Sequence, residues 1–144
     1  MARVLGIDFG ERRIGISISD PSGTIAQPLT VLTRRAGKRA PLQTIADLVA
    51  RHAVEHIVIG LPLTLEGDEN EWTREVRVFG EKLRQRTGTG VSFADERMTS
   101  VAAERAVRAL GLRKREREQK ERVDAAAAVL ILQAHLDRMN TAES

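Results

Sequence analysis

Hydrophobic residues recur with two different periods along this chain, and the change between them divides it. Residues 3–9 (RVLGIDF) form a short apolar run that reads as a strand, closed by a turn at Gly10-Glu11. Residues 13–19 alternate, with Ile14, Ile16 and Ile18 on one side, the period of two that marks a half-buried strand. Asp20-Pro21-Ser22-Gly23 is a turn, because proline fixes φ and glycine admits a positive one. Residues 24–33 predict a third strand, and Pro28 inside it favours a sheet edge. The first third of the chain is therefore expected to be a three-stranded antiparallel meander.

The period then becomes helical. Residues 41–53 place Leu42, Ile45, Leu48 and Val49 on one face, with Pro41 suited to a first turn. His56 to Gly60 is a short apolar strand of the kind found inside a covered parallel sheet. Residues 71–86 carry Trp72, Val76, Phe79 and Leu83 at helical spacing. Val91 to Ala94 is a fifth strand. Residues 100–110 predict a helix capped by Thr99 or Ser100 and stopped at Gly111, and residues 121–138 a last one. The order β-β-β-α-β-α-β-α-α predicts an α/β fold, a five-stranded mixed sheet with three antiparallel strands, then two parallel ones, flanked by helices. One domain over residues 1–139 is expected, with 140–144 as a flexible tail.

Composition narrows the function. Without cysteine there are no disulfides and no thiolate zinc sites. Three Phe, one Trp and no Tyr are too few for a protein that stacks bases on aromatic platforms. The longest apolar run, Ala125 to Leu132, is far short of a membrane span. A cytoplasmic protein with no membrane partner is expected. The net charge of +3 conceals its distribution: residues 34–39 carry +4, residues 113–122 carry +3, and residues 66–71 carry −4. Basic clusters are the electrostatic footprint of polyanion binding. They make Arg34, Arg35, Lys38 and Arg39, and Arg113, Lys114, Arg115, Arg117, Lys120 and Arg122, candidate nucleic-acid contacts. Arg97, beside an acid pair, joins them. The competing readings are a loop and a helical turn with local ion pairs.

Three acidic positions are costly ones. Asp8 ends the first strand between glycines, where it could cap a turn or aim at a metal or phosphate. Asp95-Glu96 ends the fifth strand, at the mouth of a parallel sheet where α/β proteins build sites. Alternation sends those two side chains to opposite faces and leaves open which of them joins a site. Asp124 opens an alanine-rich, apolar helix, where a carboxylate gains from the helix dipole yet is expensive to bury alone. Carboxylates without His or Cys suit Mg²⁺ or Mn²⁺. Two such ions about 4 Å apart activate a water and stabilise the leaving oxygen of a phosphodiester.

Five motifs in order carry a family resemblance over nearly the whole chain: GIDFGERRIGISISD (6–20), IAQPL (25–29), IVIGLPLTLEG (57–67), DERMTS (95–100) and VDAAAAVLILQAHLD (123–137). They resemble the YqgF/RuvX family of the RNase H-like superfamily. The resemblance implies an RNase H-like fold and a metal-dependent nuclease that matures the 5′ end of pre-16S ribosomal RNA. The alternative it carries is a Holliday junction resolvase acting on branched DNA. Asp8, Glu96 and Asp124 match the family's three acids, and it is the resemblance that selects Glu96 over Asp95. It implies two Mg²⁺ or Mn²⁺ ions, nucleic acid as partner, and a monomer or homodimer. Phe9 and Ser100 depart from the family's frequent Tyr and Thr while keeping size and character. A third class, a non-catalytic RNA-binding factor, is opposed by the intact set of acids. Gly6–Gly10 also resembles the first phosphate loop of actin-like kinases, which close two such domains around a nucleotide.

Overall fold

The strands follow the expected order, but the second, expected to be half-buried from its alternation, is buried on both faces, with Ser17 and Ser19 covered as fully as the neighbouring isoleucines. β1 (Arg3–Phe9), β2 (Arg13–Ser19) and β3 (Ala26–Thr33) form the meander, followed by α1 (Leu42–Arg51), β4 (Val54–Leu61), α2 (Glu71–Thr87), β5 (Gly90–Asp95) and α3 (Glu116–Glu143). The computed structural model describes residues 3–34, 39–64, 66–96 and 116–143, and of 116–125 and 142–143 the backbone alone. The helix expected over 100–110 lies outside the described residues.

The sheet order is β3-β2-β1-β4-β5. β1–β2 and β2–β3 are antiparallel, and β1–β4 and β4–β5 are parallel. β3 is an edge strand, as Pro28 requires. The register shifts between Ile16 and Ser17, where Ile16 faces Thr30 and Ser17 faces Pro28, so Leu29 is an extra residue bulged beside the proline. Asp20 organises the preceding turn. Its carboxylate accepts from the Ile25 amide at 2.9 Å, the Ser22 hydroxyl and the Thr24 amide at 2.8 Å, and these bonds, Ile25 foremost, lower its pKa to about 2.

Each face of the sheet has its own cover. Leu5, Ile7, Phe9, Ile14, Ile16, Ile18, Ile57 and Ile59 pack with Ile45 and Val49 of α1 and Val76, Phe79 and Leu83 of α2. The alternate residues meet α3, where Val58 and Ala94 pack on Ala127 and Ile131. This second face is built from small side chains. A Cβ on Gly6 would lie 2.7 Å from Leu132 Cβ and 3.0 Å from the Ala128 carbonyl oxygen. Ser17 Oγ donates to that carbonyl at 2.8 Å. The helix thus lies close against the sheet, as its alanines suggest.

One described element departs from its expected bounds by more than two residues. α3 is 28 residues long and exceeds the expected 121–138 at both ends. The charged residues before Asp124 continue the helix, and Asn140 Nδ2 donates to the Gly23 carbonyl at 3.3 Å near its other end. The acidic stretch 66–71 forms a turn and the start of α2, and Glu69 is its one acid with an ion pair among the described residues. The Asp68 amide donates to Thr64 Oγ1, Glu69 pairs with Arg77, and Asn70 caps α2 in a reciprocal pair with Thr73. Glu71 sits in the first turn of α2, where the helix dipole favours an acid.

Candidate active site

Strand alternation and the register put two carboxylates on one face. Asp8 follows Gly6 on the α3 side of β1. β1 and β4 pair in parallel up to Ile7 opposite Ile59, so the next step sets Asp8 level with Gly60. Gly60 in turn pairs with Ala94, which packs on α3. Glu96 lies two residues beyond Ala94 and returns to the same face. A Cβ on Gly60 would meet Glu96 Oε1 at 2.9 Å and Ile131 Cδ1 at 2.5 Å. Asp8 and Glu96 therefore flank Gly60, at the C-terminal edge of three parallel neighbours. Asp95, opposite Leu61, continues the Val91–Phe93 row toward the other cover. The geometry thus separates the acid pair that alternation alone leaves open.

Both carboxylates are buried, each 4% exposed, and both are engaged by neighbours. Asp124 belongs to α3. The helix runs from the Asp8 end of the sheet toward the β2–β3 turn. Ala128 lies at Gly6, Gln133 hydrogen-bonds the Ala26 amide and the Thr24 carbonyl at 2.9 Å, and Asn140 reaches Gly23. Asp124 precedes Ala128 by one turn, about 5.4 Å along the axis. That step leads from the level of Gly6 toward that of Asp8, each strand residue rising about 3.3 Å.

The donor chemistry of the described pair fits a hard divalent cation. Both donors are carboxylates, and the histidines of this face sit at the other end of the strands. His56, opposite Val4, stacks on His135 with ring centroids 5.6 Å apart. The His135 ring is thereby turned onto the sheet. His56 Nε2 lies 2.8 Å from Ser92 Oγ. Gly90 leaves room for the His56 imidazole, since a Cβ there would lie 2.8 Å from Nδ1. Burial lowers the pKa of both rings, and His56 and Arg138 lower that of His135 further.

Of the expected nucleic-acid contacts, Arg35, Lys38, Arg97, Arg113, Lys114 and Arg115 lie outside the described residues. Arg117, Lys120 and Arg122 are in α3, described by backbone alone. Arg39 is exposed. Arg34 is half-buried, its guanidinium 4.7 Å from the Phe9 ring centroid. Phe9 in turn stacks on Phe79 at 4.1 Å and on Trp72 at 5.5 Å. Phe9 points away from Asp8, so Arg34 and the acid pair occupy opposite faces of the same sheet edge.

Residues 2–138 match the RuvX family, described as Holliday junction resolvase. The chain belongs to this family. Relatives named "Putative pre-16S rRNA nuclease" include one of Sulfurihydrogenibium sp., 39% identical over 142 residues, covering 97% of this chain and 93% of that protein. Another, of Moorella thermoacetica, is 41% identical over 137 residues, covering 95% and 96%. Among solved structures, Thermus thermophilus RuvC in complex with a Holliday junction substrate superposes with a TM-score of 0.59 at 18% identity, covering 98% of both chains. The fowlpox virus resolvase complexed with Holliday junction DNA gives 0.55 at 8%, covering 95% and 98%. These likenesses fix the fold as RNase H-like, in agreement with the expected mixed sheet. No described helix is long and apolar enough to cross a membrane.

Proposed function

We propose that this chain is a divalent-metal-dependent nuclease that matures the 5′ end of pre-16S ribosomal RNA. The observation that carries the reading is the pair Asp8 and Glu96, buried on one face and separated by a residue with no side chain. Asp8, Glu96 and Asp124 would hold one or two Mg²⁺ or Mn²⁺ ions. When bound, the ions supply Lewis acidity and charge balance at a phosphodiester. The chain's own part is positional. β1 and β5 are held in one hydrogen-bonded sheet, so the two carboxylates keep a fixed separation. Gly60 leaves space between them, and Ile131 walls that space with hydrocarbon. A dry wall strengthens the electrostatic attraction between carboxylate and cation. Basic residues around the edge would then hold the phosphate backbone without reading its sequence. The names of the relatives favour ribosomal RNA as substrate, and a cytoplasmic site of action follows from that substrate.

The fold shared with junction-bound RuvC favours a second reading, resolution of four-way DNA junctions. Paired symmetric incisions require a two-fold dimer. The two readings part in one panel. Labelled pre-16S RNA ends, single-stranded DNA and four-way junctions are incubated with the protein in Mg²⁺ and in Mn²⁺, and its mass in solution is measured alongside. Cleavage at the RNA 5′ flank with junctions left intact is the expected result. Paired junction cuts by a dimer, without RNA processing, would overturn the ribosomal assignment. Binding without any cut would support the non-catalytic reading.

A further inference from the structure

A cleft of about 850 Å³ opens on the face opposite the acid pair, between the segment 39–44 and the C-terminal half of α2. Among the described residues its charged lining is Arg39, Lys82 and Arg86, with no carboxylate. A second cleft of about 490 Å³ adjoins it through Arg39, Ala40 and Lys82, and leads up to Phe9 and Arg34 at the sheet edge.

The cations follow a pattern along the helix. Arg74, Val78, Lys82 and Arg86 recur every fourth residue and form one ridge of α2. The other α2 arginines next to this ridge are neutralised. Arg77 pairs with Glu69, and Arg84 pairs with Glu81. Among the described residues, Arg39, Lys82 and Arg86 form no ion pair. Arg86 Nη1 donates only to the Gln43 amide oxygen, at 3.1 Å. Arg34 Nε is buried without a hydrogen-bond partner among the described residues, while its guanidinium lies over Phe9. Glu71 and Glu75 temper the upper cleft near Arg74. The charge therefore grows more positive from the sheet edge down the helix.

We infer that this cleft is a phosphate-backbone track, which holds the part of the nucleic-acid substrate lying beyond the cleaved bond. The inference rests on the nuclease reading and extends it. A strand engaged at the edge near Asp8 passes over Phe9 and Arg34 and descends between Arg39 and the Lys82–Arg86 ridge. With Arg34, Arg39, Lys82 and Arg86 along it and no aromatic among the described residues of the larger cleft, the track recognises phosphate and leaves base identity unread.

The test is the salt dependence of binding. Lys82→Gln/Arg86→Gln is compared with the unaltered chain and with Arg84→Gln, an exposed α2 arginine already paired. Binding is measured in Mg²⁺ with Asp8→Asn in every arm, so that the labelled RNA stays intact. Removing one cation that neutralises a phosphate lowers the slope of log K against log salt by about 0.7–0.9. The double variant is expected to lower that slope by between about 1 and 2 and to bind about tenfold or more weakly, with Arg84→Gln unchanged. In the Asp8 background, equal slopes and affinities for all three proteins overturn the track. With Asp8 restored, the double variant is expected to raise KM and keep kcat. An unchanged KM would also overturn the track while leaving the nuclease assignment intact. If the unaltered chain neither binds nor cuts RNA or DNA, the track falls together with the nuclease reading.

Discussion

A single hydrogen at Gly60 decides whether Glu96 keeps its place. The methyl of Gly60→Ala would intrude on Glu96 Oε1 and on Ile131, a flexible carboxylate and a packed core side chain. Overpacking of this kind costs about 1–3 kcal/mol. The variant should therefore remain folded in urea melts while its cleavage rate falls more steeply than its stability. Loss of both in proportion would mean that Gly60 serves packing alone. The acids themselves are partly legible in the sequence. Asp8, between glycines at a strand end, stands out as a candidate from its setting. The family resemblance selects Glu96 over Asp95, but on the residues alone, finding which of them shares a face with Asp8 needs the register of β4 and β5, which depends on hydrogen bonds between strands distant in sequence. The arginine–aromatic stack of Arg34 on Phe9 is invisible for the same reason: nothing local joins the end of β3 to the end of β1.

At the scale of elements, the strands are the readable part in their bounds, while alternation, the mark of a half-buried strand, does not show that β2 is covered on both faces. Ile14, Ile16 and Ile18 announce one cover, whereas the alternate Gly15, Ser17 and Ser19 read as a solvated side and are instead buried, with Ser17 bonded to the Ala128 carbonyl of α3. Helix ends are less readable. α3 begins among charged residues with no apolar period, so the pattern shows only its buried part. His135 escapes the pattern because a helix apolar nearly all round has no clear polar side. Its stacking on His56 has a consequence for pH. Both rings have folded pKa values below the ordinary 6.5, with burial as the first cause. The unfolded chain takes up these protons at higher pH than the folded one, so the pair's stabilisation is complete above about pH 6.5 and falls as pH drops toward the folded values. Melting temperature should decline across that window, and His135→Gln should make the decline shallower. An identical pH profile in the variant would show that the pair carries no linkage.

At the scale of the molecule, the sheet separates two kinds of work. One face carries the acids beneath a helix packed closely on glycine, serine and alanine. The other carries the larger apolar core, two helices and a cation-lined cleft. The modest net charge of +3 hides this division. Of the four acids in the stretch 66–71, Glu69 is balanced by Arg77 and Glu71 sits at the start of α2, where the helix dipole favours an acid. Loading the acid pair with divalent cations would make the sheet edge more positive, which suits a phosphate backbone. The central claim is that Asp8 serves cleavage and not folding. Its most direct test is the cleavage rate of a 5′-labelled pre-16S RNA end in Mn²⁺, unaltered chain against Asp8→Asn, at matched far-UV spectra and melting temperatures. Cleavage by the unaltered chain is expected, with a loss of about a thousandfold in the variant, the scale of removing a charge-stabilising group from an active site. Cleavage by Asp8→Asn at the unaltered rate would contradict that claim.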